Sequence, residues 1–284
     1  MQTKVWCLCA KKQLTSAKGI AVFTETDAFV RCRMTASKSL QRHWHAASDK
    51  TIANILHDAQ ESVSAFADAT AACGSLLQSW VSGREVTEFD HYPPDDLVNL
   101  RNGSQFYYHS HRDGNKEHGH LHLFWHATAT GRRRYLRPGQ PRWTRTAPTH
   151  LFAISLDARG LPVGLFTVNQ WVTDGHWFDA SATMACVDRF EMGNVKGHEH
   201  SCRWLTGFVR LYRPLVEDLL ARRDKRLARR SDLARALQDR ELEVLSFMPI
   251  DWIADMDALE VESARRDVSS SSVVKSKNPT SICM

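Results

Sequence analysis

No stretch of the chain approaches the roughly 18 consecutive apolar residues that a membrane-crossing helix requires. Met1 to Lys12 lack a basic region followed by about 7–15 apolar residues, so no secretory signal is expected there. The motif C-x-x-C is absent as well. Seven cysteines, an odd count, read as free thiols in a reducing cytosol, and the C-x-C of Cys7 and Cys9 has nothing nearby to complete a metal site. These absences point to a cytoplasmic protein without a membrane partner. Charged residues make up 24% and hydrophobic residues 43%, an ordinary balance for a globular chain able to bury a core.

What the sequence does have is histidine, concentrated. Six of its 14 histidines fall between Phe106 and His126. Asp113-Gly114 divides this stretch, and Asp-Gly is a strong short-range hairpin signal because it accepts φ > 0. Before it, Tyr107, His109 and His111 alternate with Phe106, Tyr108 and Ser110. After it, His118, His120, His122, Phe124 and His126 alternate with Glu117, Gly119, Leu121, Leu123 and Trp125. Period 2 puts each set on one face of a strand. A four-residue loop, Asp113 to Lys116, pairs His111 with His118, His109 with His120 and Tyr107 with His122. A two-residue loop pairs His109 with His118 and Tyr107 with His120. Either register keeps the rings on one face, with opposed Cβ atoms about 5 Å apart.

Neutral imidazole is the commonest metal ligand. The expected ligand set is His109, His111, His118 and His120. Glu117 lies on the opposite face in regular pairing and reaches the site only if a bulge near Gly119 rotates it inward. The metal would be zinc, iron, copper, nickel or manganese, since histidine-rich sites suit several of these ions. Further pocket candidates are His122, Asp90 and His91 in the loop before Tyr92-Pro93-Pro94, and His150, Asn169 and His176 further along. A structural or pH-responsive histidine cluster is the competing reading.

The rest of the chain supplies a frame. Residues 1–34 read as a poorly organised arm and 35–262 as one α+β domain. From Thr35 to about Ser82, Leu40, Trp44, Ile52, Ile55, Leu56, Val63, Phe66 and Ala67 recur at helical spacing. Thr149 to Val172 is a second β-unit turning at Asp157-Ala-Arg-Gly160, and Asn169 and Trp171 at its end are expected to share the cavity of the imidazoles. Trp204, Phe208, Leu211, Leu215 and Leu219 form a helical stripe across Pro214. The basic run Arg222 to Arg230 then reads as a solvated helix face. His198-Glu-His200 is a third H-x-H, without a strand pattern around it. From Ser263 the Ser-rich tail, 263–284, reads as disordered. Arg132, Arg133, Arg134, Arg137, Arg142 and Arg145 fall in a Pro/Gly-rich stretch. With a net charge of only +5 it reads as a solvated loop, so nucleic acid is not expected as a partner.

Several segments together resemble a bacterial family of uncharacterised conserved proteins: Phe89-Asp-His-Tyr-Pro-Pro94, Gln105-Phe-Tyr-Tyr-His-Ser-His111, Glu117-His-Gly-His-Leu-His122, Pro148-Thr-His-Leu-Phe-Ala-Ile-Ser155, and Asn169-Gln-Trp-Val172 with Trp177-Phe178. The similarity spans about residues 50 to 250 and implies a domain without implying an activity. Two metal folds fit less well. The cupin pattern wants a histidine where Thr167 stands, and the metallo-β-lactamase pattern wants one at Gly114.

The expected fold is therefore α+β: an antiparallel sheet of at least four strands, open or barrel-like, flanked by amino-terminal and carboxy-terminal helices. The expected function is divalent transition-metal binding, with hydrolysis or oxygen chemistry on a small-molecule substrate. The other class is a non-catalytic ligand-binding or interaction protein.

Overall fold

The computed structural model describes residues 27–111, 117–126, 135–137, 140–141, 147–193 and 195–275. Three helices come first: α1 (Asp27–Ala46), α2 (Asp49–Cys73) and the short α3 (Gln78–Val81). Strands β1 (Tyr92–Val98), β2 (Ser104–His109) and β3 (Gly119–Trp125) follow, then a separate small pair, β4 (Tyr135–Arg137) with β5 (Gln140–Pro141). Next are β6 (Thr149–Leu156), β7 (Pro162–Val168), α4 (Gln170–Thr173), α5 (Ala180–Val187), α6 (Glu199–Leu227), α7 (Leu233–Leu237), β8 (Val244–Pro249) and α8 (Trp252–Lys275).

Six strands form one antiparallel, open sheet in the order β1-β2-β3-β6-β7-β8. This is the expected α+β architecture, with helices before and after the sheet and no closure into a barrel.

One face of the sheet carries the core. Phe106 and Tyr108 of β2, Leu121 and Leu123 of β3, Leu151, Phe152 and Ile154 of β6 and Leu165 of β7 pack with the helices. Helix α6 lays the expected stripe of Trp204, Phe208, Leu211, Leu215 and Leu219 into this core, all fully buried. Pro214 sits within the helix without ending it.

Helix α2 turns Ile52, Ile55, Leu56 and Phe66 to the core as expected, but its most buried positions further along are small ones. Ala59, Ser62, Ala65 and Ala69 point inward, while Val63 is 42% exposed and Ala67 is exposed. The reason lies on α6. Gly207 has no side chain, and a Cβ there would run into the Asp58 carbonyl oxygen and the Ser62 side chain. Small residues on both helices therefore permit a close crossing that larger ones would prevent. The Ser62 hydroxyl donates to the Trp204 carbonyl oxygen at 2.8 Å across this contact.

Helix α8 continues past Ser263 to Lys275, into the segment that composition alone reads as disordered. Glu262 accepts from Arg265 and Arg266 one turn on, and Arg266 also donates to the Trp44 and Ala47 carbonyl oxygens at the end of α1. The helix is thus tied to the first helices by its own charged face. Helix α1 likewise begins at Asp27, within the stretch expected to be a poorly organised arm.

Candidate metal centre

The opposite face of the sheet is built from the histidine alternation. Strands β2 and β3 pair Tyr107 with His122 and His109 with His120, the register of the four-residue loop. Asp113 and Gly114 themselves lie outside the described residues. Tyr107, His109, His120, His122 and Phe124 are all nearly or wholly buried. Ring centroids of His109 stand 4.5 Å from His120, 4.9 Å from His111 and 4.9 Å from His122.

Ligand atoms of His109, His111 and His120 all lie within 4.8 Å of one another, close enough to hold one metal ion. His109 Nε2 and His120 Nε2 are 2.7 Å apart, a hydrogen-bond distance. With Zn–N near 2.0–2.1 Å, two nitrogens sharing an ion at a tetrahedral angle stand about 3.4 Å apart. A spread of well under 1 Å separates the two arrangements, within reach of small ring rotations.

Glu117 sets the proton on His120. Its Oε1 lies 2.7 Å from His120 Nδ1, and a carboxylate only accepts, so Nδ1 donates. Nε2 is then the lone-pair nitrogen turned toward His109. This carboxylate–imidazole arrangement is the usual outer support of a metal-binding histidine. The chain joins the β-ladder only at Gly119, and that departure from regular pairing brings Glu117 back onto the histidine side.

His118 is placed apart from these three. Its Nδ1 lies 2.6 Å from the Tyr108 hydroxyl, and Tyr108 belongs to the helix-covered face. Burial, reinforced by the Glu117 charge, raises the Tyr108 pKa, so its phenol stays protonated and donates. Ser110 Oγ also donates to the His118 carbonyl oxygen at 2.6 Å. Tyr108 reaches His118 across Gly119, where any side chain would occupy the position of the tyrosine hydroxyl. The same irregularity that admits Glu117 thus turns His118 away.

The remaining candidates divide. Asp90 is exposed. His91 stacks on Tyr107 at 3.6 Å and its Nδ1 lies 2.8 Å from Asp96 Oδ1. Asp96 adopts φ +53° in an irregular stretch of β1 and accepts from Gln105 Nε2 at 2.7 Å through its other oxygen. Gln105 Oε1 in turn lies 2.5 Å from His126 Nε2, so a polar chain borders the imidazoles. Gln105 shares the alternation of Tyr107 and His109, and that signal was available in the sequence.

His150 reaches the histidine row through a bulge. Leu123 pairs with Phe152 but Phe124 pairs with His150, so Leu151 and Phe152 both enter the core and His150 changes face. Its Nε2 lies 3.0 Å from His122 Nδ1. Burial, with the Arg223 guanidinium as second cause, lowers the His150 pKa to about 3, so the ring is neutral. His150, Asn169 and His176 line one small cavity. It adjoins the row through His150 rather than containing the imidazoles. Trp171 is elsewhere, donating from Nε1 to the Leu242 carbonyl oxygen.

Arg223 also lines this cavity and is only 3% exposed, which corrects the reading of its basic run as wholly solvated. The sequence held a signal here too, because Arg223 follows Leu215 and Leu219 at four-residue spacing on the buried stripe of α6. Arg132, Arg133, Arg134, Arg142 and Arg145 lie outside the described residues, as does the side chain of Arg137. His198 and His200 fall at the start of α6.

Among the described residues no helix is long and apolar enough to cross a membrane. No curated protein and no solved structure matches the chain. Residues 56–250, which contain the whole histidine face, match the family described as Domain of unknown function (DUF6969), and the chain belongs to that family.

Proposed function

We propose that the protein binds one divalent transition metal through His109, His111 and His120 and uses it as a metal-dependent hydrolase or oxygenase on a small-molecule substrate. The observation that carries this reading is the convergence of three imidazoles within 4.8 Å, one of them oriented by Glu117. Three protein ligands leave coordination positions for water or substrate, as in catalytic rather than closed structural sites. The chemistry an ion supplies in such a setting is polarisation of a carbonyl or activation of a bound water, and with iron or copper the handling of oxygen. Zinc, iron, copper, nickel and manganese are all compatible with imidazole donors.

Elemental mass spectrometry of the purified protein should find near-stoichiometric amounts of one of these metals. The double substitution His109→Ala plus His120→Ala should remove it, while His118→Ala should leave it in place. A protein without metal, whose melting temperature does not rise on adding any of the five ions, would refute the reading. The 2.7 Å contact between His109 and His120 would then mark a structural cluster that satisfies its own hydrogen bonds, in a non-catalytic binding or interaction protein.

A further inference from the structure

We propose that the Ser155 hydroxyl holds and orients a small ligand bound at the metal centre. This role rests on the metal reading above and adds to it a residue and a ligand class. Ser155 stands on β6 as the strand partner of His120, and the Cβ atoms of such partners lie about 5 Å apart. Its neighbours Ile154 and Leu156 enter the helix-covered core, so Ser155 shares the face of the histidines. One row therefore crosses the sheet from His109 through His120 and Ser155 to Gly164.

The hydroxyl is unmatched. Ser155 is 2% exposed, and its Oγ has no hydrogen-bond partner among the described residues. Among those residues one other buried serine or threonine hydroxyl shares that condition, Thr149 Oγ1, but Thr149 pairs with Trp125 at the far end of β6. The neighbours of Ser155 in the row offer it no side-chain partner. On one side, His120 engages Glu117 through Nδ1 and faces His109 through Nε2. On the other, Gly164 has no side chain, and a Cβ there would run into the Phe247 ring. Phe166 stands edge-on to His120 at 5.2 Å and adds a second apolar wall. A buried hydroxyl left without a partner is destabilising, and a bound molecule beside it removes that cost.

The position selects the ligand. His120 Nε2 faces His109, so an ion held by the triad lies on the β2 side of His120, while Ser155 lies on the β6 side. A single atom on the ion does not serve both. A ligand that does has two electronegative atoms joined through a third, one on the ion and one accepting from the serine. A carboxylate has this form, and it is also what hydrolysis of an ester or amide at the ion releases. Access agrees. His111 is the half-buried member of the triad, and it and Ser155 sit at the same end of the sheet, where β2 and β6 finish and β3 and β7 begin.

The test uses azide, a three-atom anion of the same form, on the full chain stripped of metal by a chelator and refilled with cobalt(II). The visible spectrum of cobalt reports what binds the ion. Wild type should show a saturable spectral change. Ser155→Ala removes only the hydroxyl, so it should take up cobalt equally and weaken azide about tenfold. Because the hydroxyl has no protein partner, the urea midpoint of metal-free Ser155→Ala should not fall. Thr167→Val breaks the 2.7 Å hydroxyl pair with Ser246 and should do the reverse, lowering the midpoint and leaving azide binding unchanged. Equal azide affinity in wild type and Ser155→Ala, or none in either, with cobalt bound to both, would overturn the role of Ser155 and leave the metal reading standing. A loss of cobalt or of metal-free stability in Ser155→Ala would do the same, since the hydroxyl would then support the histidines or the fold. A chain that takes up no cobalt would overturn both readings.

Discussion

Glu117 and His118 are neighbours with opposite assignments, and the difference comes from one atom each can reach. The carboxylate of Glu117 fixes the His120 tautomer, leaving Nε2 as the nitrogen that faces His109. Replacing Glu117 with glutamine keeps its size but allows the amide to present either an oxygen or an NH₂ group. Outer-sphere substitutions of this kind typically cost about 10–100-fold in metal affinity. Competition against a chelator should show a loss in that range for Glu117→Gln, with the denaturant midpoint little changed. An unchanged affinity would show that His120 needs no carboxylate to orient it.

At the scale of the element, two irregularities make the site: the late start of β3 at Gly119 and the bulge at Leu151-Phe152. Gly119 lies under the Tyr108 hydroxyl and against the His109 carbonyl oxygen, so an added Cβ must displace one strand from the other. Overpacking of this kind costs about 1–3 kcal/mol. Gly119→Ala is expected to lower stability by that amount in urea unfolding and to weaken metal binding several-fold, since His109 and His120 face each other across the same two strands. Wild-type stability and affinity in this variant would mean that Tyr108 moves aside freely. Regular alternation would place Leu151 with Ala153 and send His150 into the core. The two-for-one step opposite Leu123-Phe124 instead buries two apolar residues and returns a histidine to the polar face.

For the molecule as a whole, the two sheet faces divide the work. Helices and tryptophans cover one side, and imidazoles fill much of the other. That division makes stability depend on pH with a definite sign. His150 has its pKa lowered from 6.5 to about 3, chiefly by burial and then by Arg223, so between those values the unfolded chain binds the extra proton. Stability is full above pH 6.5 and declines as pH falls toward 3. His198, also lowered by burial, acts in the same direction. Below about pH 4.5 Glu262 adds to the loss, because Arg265 and Arg266 hold its carboxyl below the usual range. The denaturant midpoint should therefore drop from pH 7 to pH 4. His150→Gln should flatten the part of that slope between pH 6.5 and 4.5, and an unchanged slope would place the proton uptake elsewhere.

Period-2 alternation on either side of Asp-Gly was enough to read the hairpin and the shared face of His109, His111 and His120, while the choice between its two- and four-residue registers came from the strand pairing. Helical spacing likewise disclosed the α6 stripe. These features repeat along the chain, so local geometry transmits them directly. The set of ligand candidates needed the fold, because His118 leaves the row where the ladder begins, and the place where a ladder begins depends on Tyr108 and Gly119 across the strand pair. The inward face of α2 depended on Gly207, about 150 residues away in sequence. Arg223 and His150 line one cavity only because α6 packs against β7 and β8, beside which β6 runs. Periodicity determines which side chains share a face, whereas contacts between distant segments decide what each face meets, and the cavity and the proton on His120 are both products of those contacts.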